Sequence, residues 1–159
     1  MTLAEAPARP KPLPPIFKVS QGFWEGSAVG ELRLDHCTEC EHIWFPPSSR
    51  CPNCLSTNID WKAVSGRGKV WSWIWMHQRY GWAFDTEVPY LLVQVNLEEG
   101  PSFVSTLVGV DKGDIRFDMP VKVTWQKRNE NQSVPVFTRD NAEGVDPSGD
   151  PSGDPFGEG

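Results

Sequence analysis

Four cysteines form the one constellation in this chain with an obvious chemistry, two identical pairs, Cys37-x-x-Cys40 and Cys51-x-x-Cys54. No cysteine stands outside the pattern. Each pair can wrap one corner of a metal site, and four thiolates at the corners of a tetrahedron suit Zn²⁺. The ten residues between Cys40 and Cys51 leave room for a short ribbon between two knuckles, with Phe45-Pro46-Pro47-Ser48 as its turn and Pro52 inside the second knuckle. Iron is the other metal this ligand set accepts. Two disulfides would require an oxidising compartment, and Met1 to Pro15 lacks the apolar core of a secretion signal. A redox pair would open a helix in a βαβ unit, and no such unit is visible. The expected centre holds one structural ion, zinc before iron. Four protein ligands leave no open position for water or substrate, so the site is not a catalytic one. Its expected role is to hold a segment too short to bury its own core, and zinc binding to such modules is worth roughly 10–16 kcal/mol.

The remaining chemistry is sparse. His36 and His42 flank the first knuckle, and His77 ends a Trp-rich stretch. His36 adjoins a ligand cysteine, which invites a hydrogen bond to its sulfur. His77 has no Ser, Cys or paired carboxylate marked out as its partner. No phosphate-binding loop, dinucleotide fingerprint or His-Glu-x-x-His is present. With every thiol committed to metal, no nucleophilic cysteine remains. Aromatic content stands out instead, with eight tryptophans in 159 residues. Trp71, Trp73, Trp75 and Trp125 sit on strand patterns, where packing is the default reading. Arg79-Tyr80-Gly81-Trp82-Ala83-Phe84 reads as a loop that either presents a binding surface or folds back over the barrel end.

The elements that must position these groups are mostly strands. Residues 1–15 are Pro-rich and read as disordered or extended. Residues 16–31 hold a helical lead-in with Phe17, Phe23 and Trp24, interrupted by Gly22 and stopped by Gly26 or Gly30. Residues 32–62 form the ribbon, with strand fragments at Leu32–Asp35 and His42–Phe45. Residues 63–140 alternate as strands at Val70–Met76, Tyr90–Leu97, Ser102–Val108, Met119–Trp125 and Val134–Thr138, the second and third joined by the turn Glu98-Glu99-Gly100-Pro101. Alternation puts Trp71, Trp73 and Trp75 on one face of the first of these and Val70, Ile74 and Met76 on the other. With both faces apolar, both are expected to be covered. Gly66-Arg67-Gly68 would allow a bulge or bend where that strand opens. Five strands after a small ribbon fit a mainly β architecture, with a Greek-key barrel of the OB type.

Residues 141–159 carry the tandem repeats Asp146-Pro-Ser-Gly, Asp150-Pro-Ser-Gly and Asp154-Pro-Phe-Gly, which read as a disordered acidic tail. The net charge of −6 resides largely there: without its five acidic residues the chain has 15 basic against 16 acidic side chains. A nearly neutral body lacks the surplus for a large basic groove, which argues against a nucleic-acid partner. No apolar run is long enough to span a bilayer. Thiolate chemistry without a targeting segment suggests the cytoplasm.

The order of motifs is itself informative. Phe23-Trp24 is followed by the two CxxC pairs around Trp44-Phe45-Pro46-Pro47. Gly66-x-Gly68-Lys69-Val70, Pro89-Tyr90, Leu97-Glu98-Glu99-Gly100 and Met119-Pro120-Val121-Lys122-Val123 come next. Over about residues 16–138 this series resembles the rubredoxin-like zinc ribbon plus OB-fold family that accompanies thiolase-type enzymes. The resemblance implies a non-catalytic subunit bound to a thiolase, a thiolase-like retro-aldolase of sterol side-chain breakdown or a related condensing enzyme. Some members pair with acyl-CoA hydratases. It further implies that the chain helps hold or channel coenzyme A or acyl-CoA in a hetero-oligomer. Cys37, Cys40, Cys51 and Cys54 carry over as metal ligands. Candidate contacts to partner or coenzyme A are Arg79, Tyr80, Trp82 and Phe84, with Arg67 and Lys69 for phosphate groups. The reading from another class is a single-strand nucleic-acid binder, since OB folds also do this with stacked aromatics in a basic groove. The Asp-Pro-x-Gly tail departs from the family pattern.

Overall fold

The computed structural model describes residues 11–81 and 88–140. A 3-10 turn at Lys18–Ser20 leads into helix α1, Gln21–Ala28. The helix is shorter than the lead-in expected from sequence, and Gly22 does not interrupt it. Gly22 is instead a packing site, because a Cβ there would stand inside the Trp61 ring. The helix ends in a Schellman motif: the Glu31 N–H reaches the Gly26 carbonyl (2.9 Å) and the Gly30 N–H the Ser27 carbonyl (3.4 Å). Gly30 supplies the left-handed residue this requires, at φ +79°.

Two sheets follow. The first has order β2-β1-β3, from β1 Leu32–Cys37, β2 Ile43–Trp44 and β3 Ile59–Val64, all antiparallel. The second has order β6-β5-β4-β7-β8, from β4 Arg67–Met76, β5 Tyr90–Leu97, β6 Ser102–Ser105, β7 Pro120–Lys127 and β8 Ser133–Arg139. After β6 the chain makes one parallel bridge, Leu107 to Phe137, flanked by Val108 N–H to Phe137 O (2.8 Å) and Phe137 N–H to Thr106 O (2.9 Å). This curls the five-stranded sheet into an OB-like half-barrel. β6 is shorter than the alternation through Val108 suggested, because the chain crosses to β8 there.

The main core joins helix, ribbon and barrel, and a second small cluster of Cys37, Trp44 and Cys51, with Cys40 and Ile59, surrounds the sulfurs. Phe23 of α1 and Leu32 and Leu34 of β1 are buried with Val70, Val93, Val95, Phe103, Met119, Val121 and Phe137. Phe103 lies at its centre, with Phe45 of the ribbon at 4.2 Å, Phe137 at 6.0 Å and Phe23 at 6.4 Å between ring centroids. Such pairs add to the burial of large apolar area. Trp125 on β7 donates its indole N–H to the Gly30 carbonyl (3.0 Å), tying barrel to lead-in. Residues 11–17 lack regular structure, yet the Pro14 carbonyl accepts from the buried Gln132 amide (2.9 Å).

The Trp-rich strand corrects two expectations. Its bulge lies at Trp71, where the register against β5 shifts between Val70 and Ser72, not at Gly66–Gly68. The extra residue reverses the side-chain phase. Val70, Trp73 and Trp75 therefore meet the core, while Trp71 and Ile74 point outward at 58% and 55% exposure. Among the described residues nothing covers Trp71 and Ile74 on the outer face. Among the described residues no helix is long and apolar enough to cross a membrane. Residues 1–10 and the acidic repeat at 141–159 lie outside the described residues.

Candidate metal centre and surrounding surfaces

The two knuckles are built alike. In the first, the Glu41 N–H bonds the Cys37 carbonyl (2.9 Å) and the Cys37 N–H bonds the His42 carbonyl (2.9 Å). In the second, Leu55 N–H to Cys51 O and Cys51 N–H to Ser56 O repeat both bonds at 2.9 Å. Glu41 and Leu55, each four residues after the leading cysteine, share the left-handed conformation at φ 60° and 63°. β1 delivers Cys37 at its end, and the Phe45–Pro46 peptide, which is cis, sits in the connection that leads back to Cys51.

These turns bring four sulfurs together, all within 4.8 Å of one another. Cys37 and Cys54 are 3.5 Å apart, Cys40 and Cys51 3.6 Å. A tetrahedral ion with metal–sulfur bonds of about 2.3 Å separates its ligands by about 3.8 Å, so the donor set fits a thiolate-bound metal. The Asn53 backbone N–H lies 3.4 Å from the Cys51 sulfur and its side-chain amide 3.5 Å from that of Cys40. The Asn53 amide, followed by a backbone contact with His42, draws the Cys40 thiol down to about 6. Thiolates this close repel one another unless a cation stands among them. His36 does not serve a sulfur: its Nε2 meets Glu41 at 2.9 Å. The buried Asp35 on β1 accepts the Ser48 N–H (3.0 Å), and burial raises its pKa despite that bond and the nearby Trp61 side chain.

The six other candidate residues do not converge. Arg67 and Lys69 are exposed at the start of β4, whereas Arg79 and Tyr80 are exposed beyond its far end. From Lys69 to Met76 the strand alone spans about 23 Å. Trp82 and Phe84 lie outside the described residues. Arg67 already has a partner, since its Nε is 3.3 Å from the Asp140 carboxylate, which Lys122 also approaches at 3.8 Å. Sequence reasoning missed Asp140, a 5% exposed carboxylate that joins β4, β7 and β8. Only the register of Arg67 with Lys122 across β4 and β7 reveals it. Among the described residues, two hollows are lined by barrel strands. One, of about 380 Å³, is lined by Tyr90, Leu91, Val134 and Val136 together with Lys11 and Arg128 among others. The other is a shallow apolar pocket of about 160 Å³ on the outer face, lined by Ile74, Leu92, Gln94 and Val104 among others.

Comparison with known proteins adds family and assembly context. Residues 24–60 match the ChsH2 rubredoxin-like zinc ribbon domain, and residues 61–126 the ChsH2 C-terminal OB-fold domain. A probable enoyl-CoA hydratase alpha subunit of Thermomonospora curvata is 32% identical over 133 residues, covering 84% of this chain and 41% of that protein. The chain thus spans about two fifths of that relative's length. A DUF35 domain-containing scaffold protein of Pyrococcus furiosus is 36% identical over 94 residues, 58% of this chain and 68% of the scaffold. Among solved structures, a chain of the Ltp2-ChsH2(DUF35) aldolase matches with a TM-score of 0.71 and 31% identity. That match covers 80% of this chain and 98% of the other.

Proposed function

Because the chain belongs to the ChsH2 family of zinc-ribbon and OB-fold proteins, we propose that it is a non-catalytic accessory subunit of an acyl-CoA-processing complex. Its partner is a thiolase-like protein: a thiolase, a retro-aldolase of sterol side-chain degradation or a related condensing enzyme. The carrying observation is the likeness, over nearly all of the compared chain, to a component of an assembled aldolase. The closed four-sulfur site supports the same reading, because the ion it holds keeps no position for substrate. We assign that ion as zinc, with iron as the alternative.

Acyl-CoA is held between this chain and its partner. Arg67 and Lys69 contact phosphate groups, and Arg79, Tyr80, Trp82 and Phe84 contribute to the partner interface or the coenzyme A channel. The separation of Arg67 and Lys69 from Arg79 and Tyr80 along β4 suits an extended ligand better than a compact one. The hollow beside Tyr90 offers apolar walls to an acyl group. A reduced four-thiolate site is in keeping with a cytoplasmic location. An acyl-CoA hydratase is a further expected partner, in view of the hydratase subunit that the chain resembles. Nucleic-acid binding is less well supported, because Asp140 offsets part of the charge of Arg67 and Lys122.

Co-expression with the thiolase-like subunit tests the assignment. A stable heteromeric complex that survives 0.5 M salt is expected, since a mainly apolar interface is insensitive to screening. Failure of the two chains to associate would remove the reading. Titration of free chain and complex with coenzyme A tests the ligand, with tighter binding expected in the complex.

A further inference from the structure

The β4–β5 pair outruns the strands on either side of it, β7 and β6. β7 pairs with it only at Arg67, Gly68 and Lys69, and the last cross-links are Val70 N–H to Met119 O and Asp118 N–H to Val70 O. β6 meets β5 only from Val93 onward. Ile74–Met76 and Tyr90–Leu92 are thus a two-stranded arm that continues beyond the curled sheet, and from Ser72 to Met76 β4 is paired on its β5 side alone. Among the described residues, no backbone group outside β5 bonds to Ser72–Met76. Phe117 lies against the Trp73 ring at 4.9 Å and Lys112 over the Trp75 ring at 4.6 Å. These contacts are made to rings, and among the described residues no strand lies along the β7 side of Ser72–Met76.

The composition of the edge is unusual for one left in water. Exposed edges are ordinarily blunted by charge, proline or irregularity. Ser72-Trp73-Ile74-Trp75-Met76 contains neither charge nor proline. The bulge turns Trp71 outward beside it, where Trp71 and Ile74 share the outer face with Val104, itself 62% exposed. The shallow pocket on that face has no charged lining residue. A two-stranded ribbon is marginal by itself and gains from a third strand.

The geometry points to the Ser72–Met76 edge of β4 as a docking site for an extended segment of the thiolase-like partner, added as a strand. This rests on the accessory-subunit reading and specifies where and how the partner binds. An extended main chain is the chemistry that satisfies alternating N–H and C=O groups, and side chains on its outer face enter the uncharged pocket. The segment is therefore apolar at alternate positions. A second copy of this chain is the weaker occupant. Pairing of this edge with itself engages five residues a side, well short of the roughly 20–30 of a stable interface, and the likeness to a component of an assembled aldolase favours a different chain.

Hydrogen exchange on the full chain, alone and in the co-purified complex, tests the site. The Ser72–Met76 amides that do not pair with β5 should exchange at least about tenfold more slowly in the complex. Ile74→Lys, on an exposed position that leaves the core intact, should weaken association at least about tenfold. Ile16→Lys, at another exposed apolar position, should leave it unchanged. A complex that forms with unaltered exchange along Ser72–Met76 overturns this docking mode and leaves the accessory role standing. Failure to form any complex overturns both. Equal protection in a homodimer of the free chain assigns the edge to a second copy and overturns the partner strand.

Discussion

Replacing Phe103 by alanine probes how ribbon and barrel are joined. Phe103 is 4% exposed, on β6, and its ring contacts Phe45 of the ribbon, Phe23 of α1 and Phe137 of β8. Truncating a buried phenylalanine costs about 3–5 kcal/mol through lost transfer energy and the cavity left behind. The site cannot easily collapse, because its neighbours belong to three separate elements. At about 3–5 °C per kcal/mol for an ordered body of this size, melting falls by about 10–20 °C. The assay follows two signals on the cobalt-substituted chain: far-UV circular dichroism for the barrel and the visible thiolate–cobalt bands for the four-sulfur site. Both should move down together, because one core serves ribbon and barrel. Cobalt bands that melt at the wild-type temperature while the barrel signal shifts would refute a shared core.

Four further outcomes follow from particular contacts. Gly66→Ala destabilises by more than about 2 kcal/mol in urea titration, because Gly66 has φ +69° and a Cβ there would run into Val123. Cys51→Ser, or a strong chelator at neutral pH, unfolds the ribbon, checked by metal analysis and loss of near-UV dichroism; lowering the pH has the same effect once protons displace the metal from the thiolates. Asp140→Asn costs about 1 kcal/mol in thermal melts, a small value because Arg67 and Lys122 are each about half exposed and screened. Trp71→Ala changes the stability of the free chain by less than about 1 kcal/mol, yet weakens the partner complex in calorimetric titration by about 1–2 kcal/mol, because the side chain is exposed until the partner covers it.

The parts of the molecule legible in the sequence were those set by local rules. The spacing of Cys37, Cys40, Cys51 and Cys54 marked the metal centre, because the knuckle is a local turn with its own hydrogen bonds. Tyr90–Leu97 was legible to the residue, since every second side chain enters the core. The bulge at Trp71 was not: an alternating run of Trp, Ile and Val reads alike with or without an extra residue, and only pairing with β5 reveals the shift. β3 escaped notice because Ile-Asp-Trp-Lys-Ala-Val lacks a clean period, and its pairing with β1 supplies what its own pattern does not. The same holds for Asp140, whose role depends on three strands meeting. That Arg67 and Lys69 do not meet Arg79 and Tyr80 follows from the extended strand that runs on from Lys69 to Met76 between them.

The claim that the chemistry lies in another chain is tested most directly by acyl-CoA turnover with three samples: this chain, its thiolase-like partner, and the reconstituted complex. No turnover by the chain alone is expected, with full activity only when both subunits are present. Acyl-CoA conversion by the purified chain alone would contradict the accessory role outright.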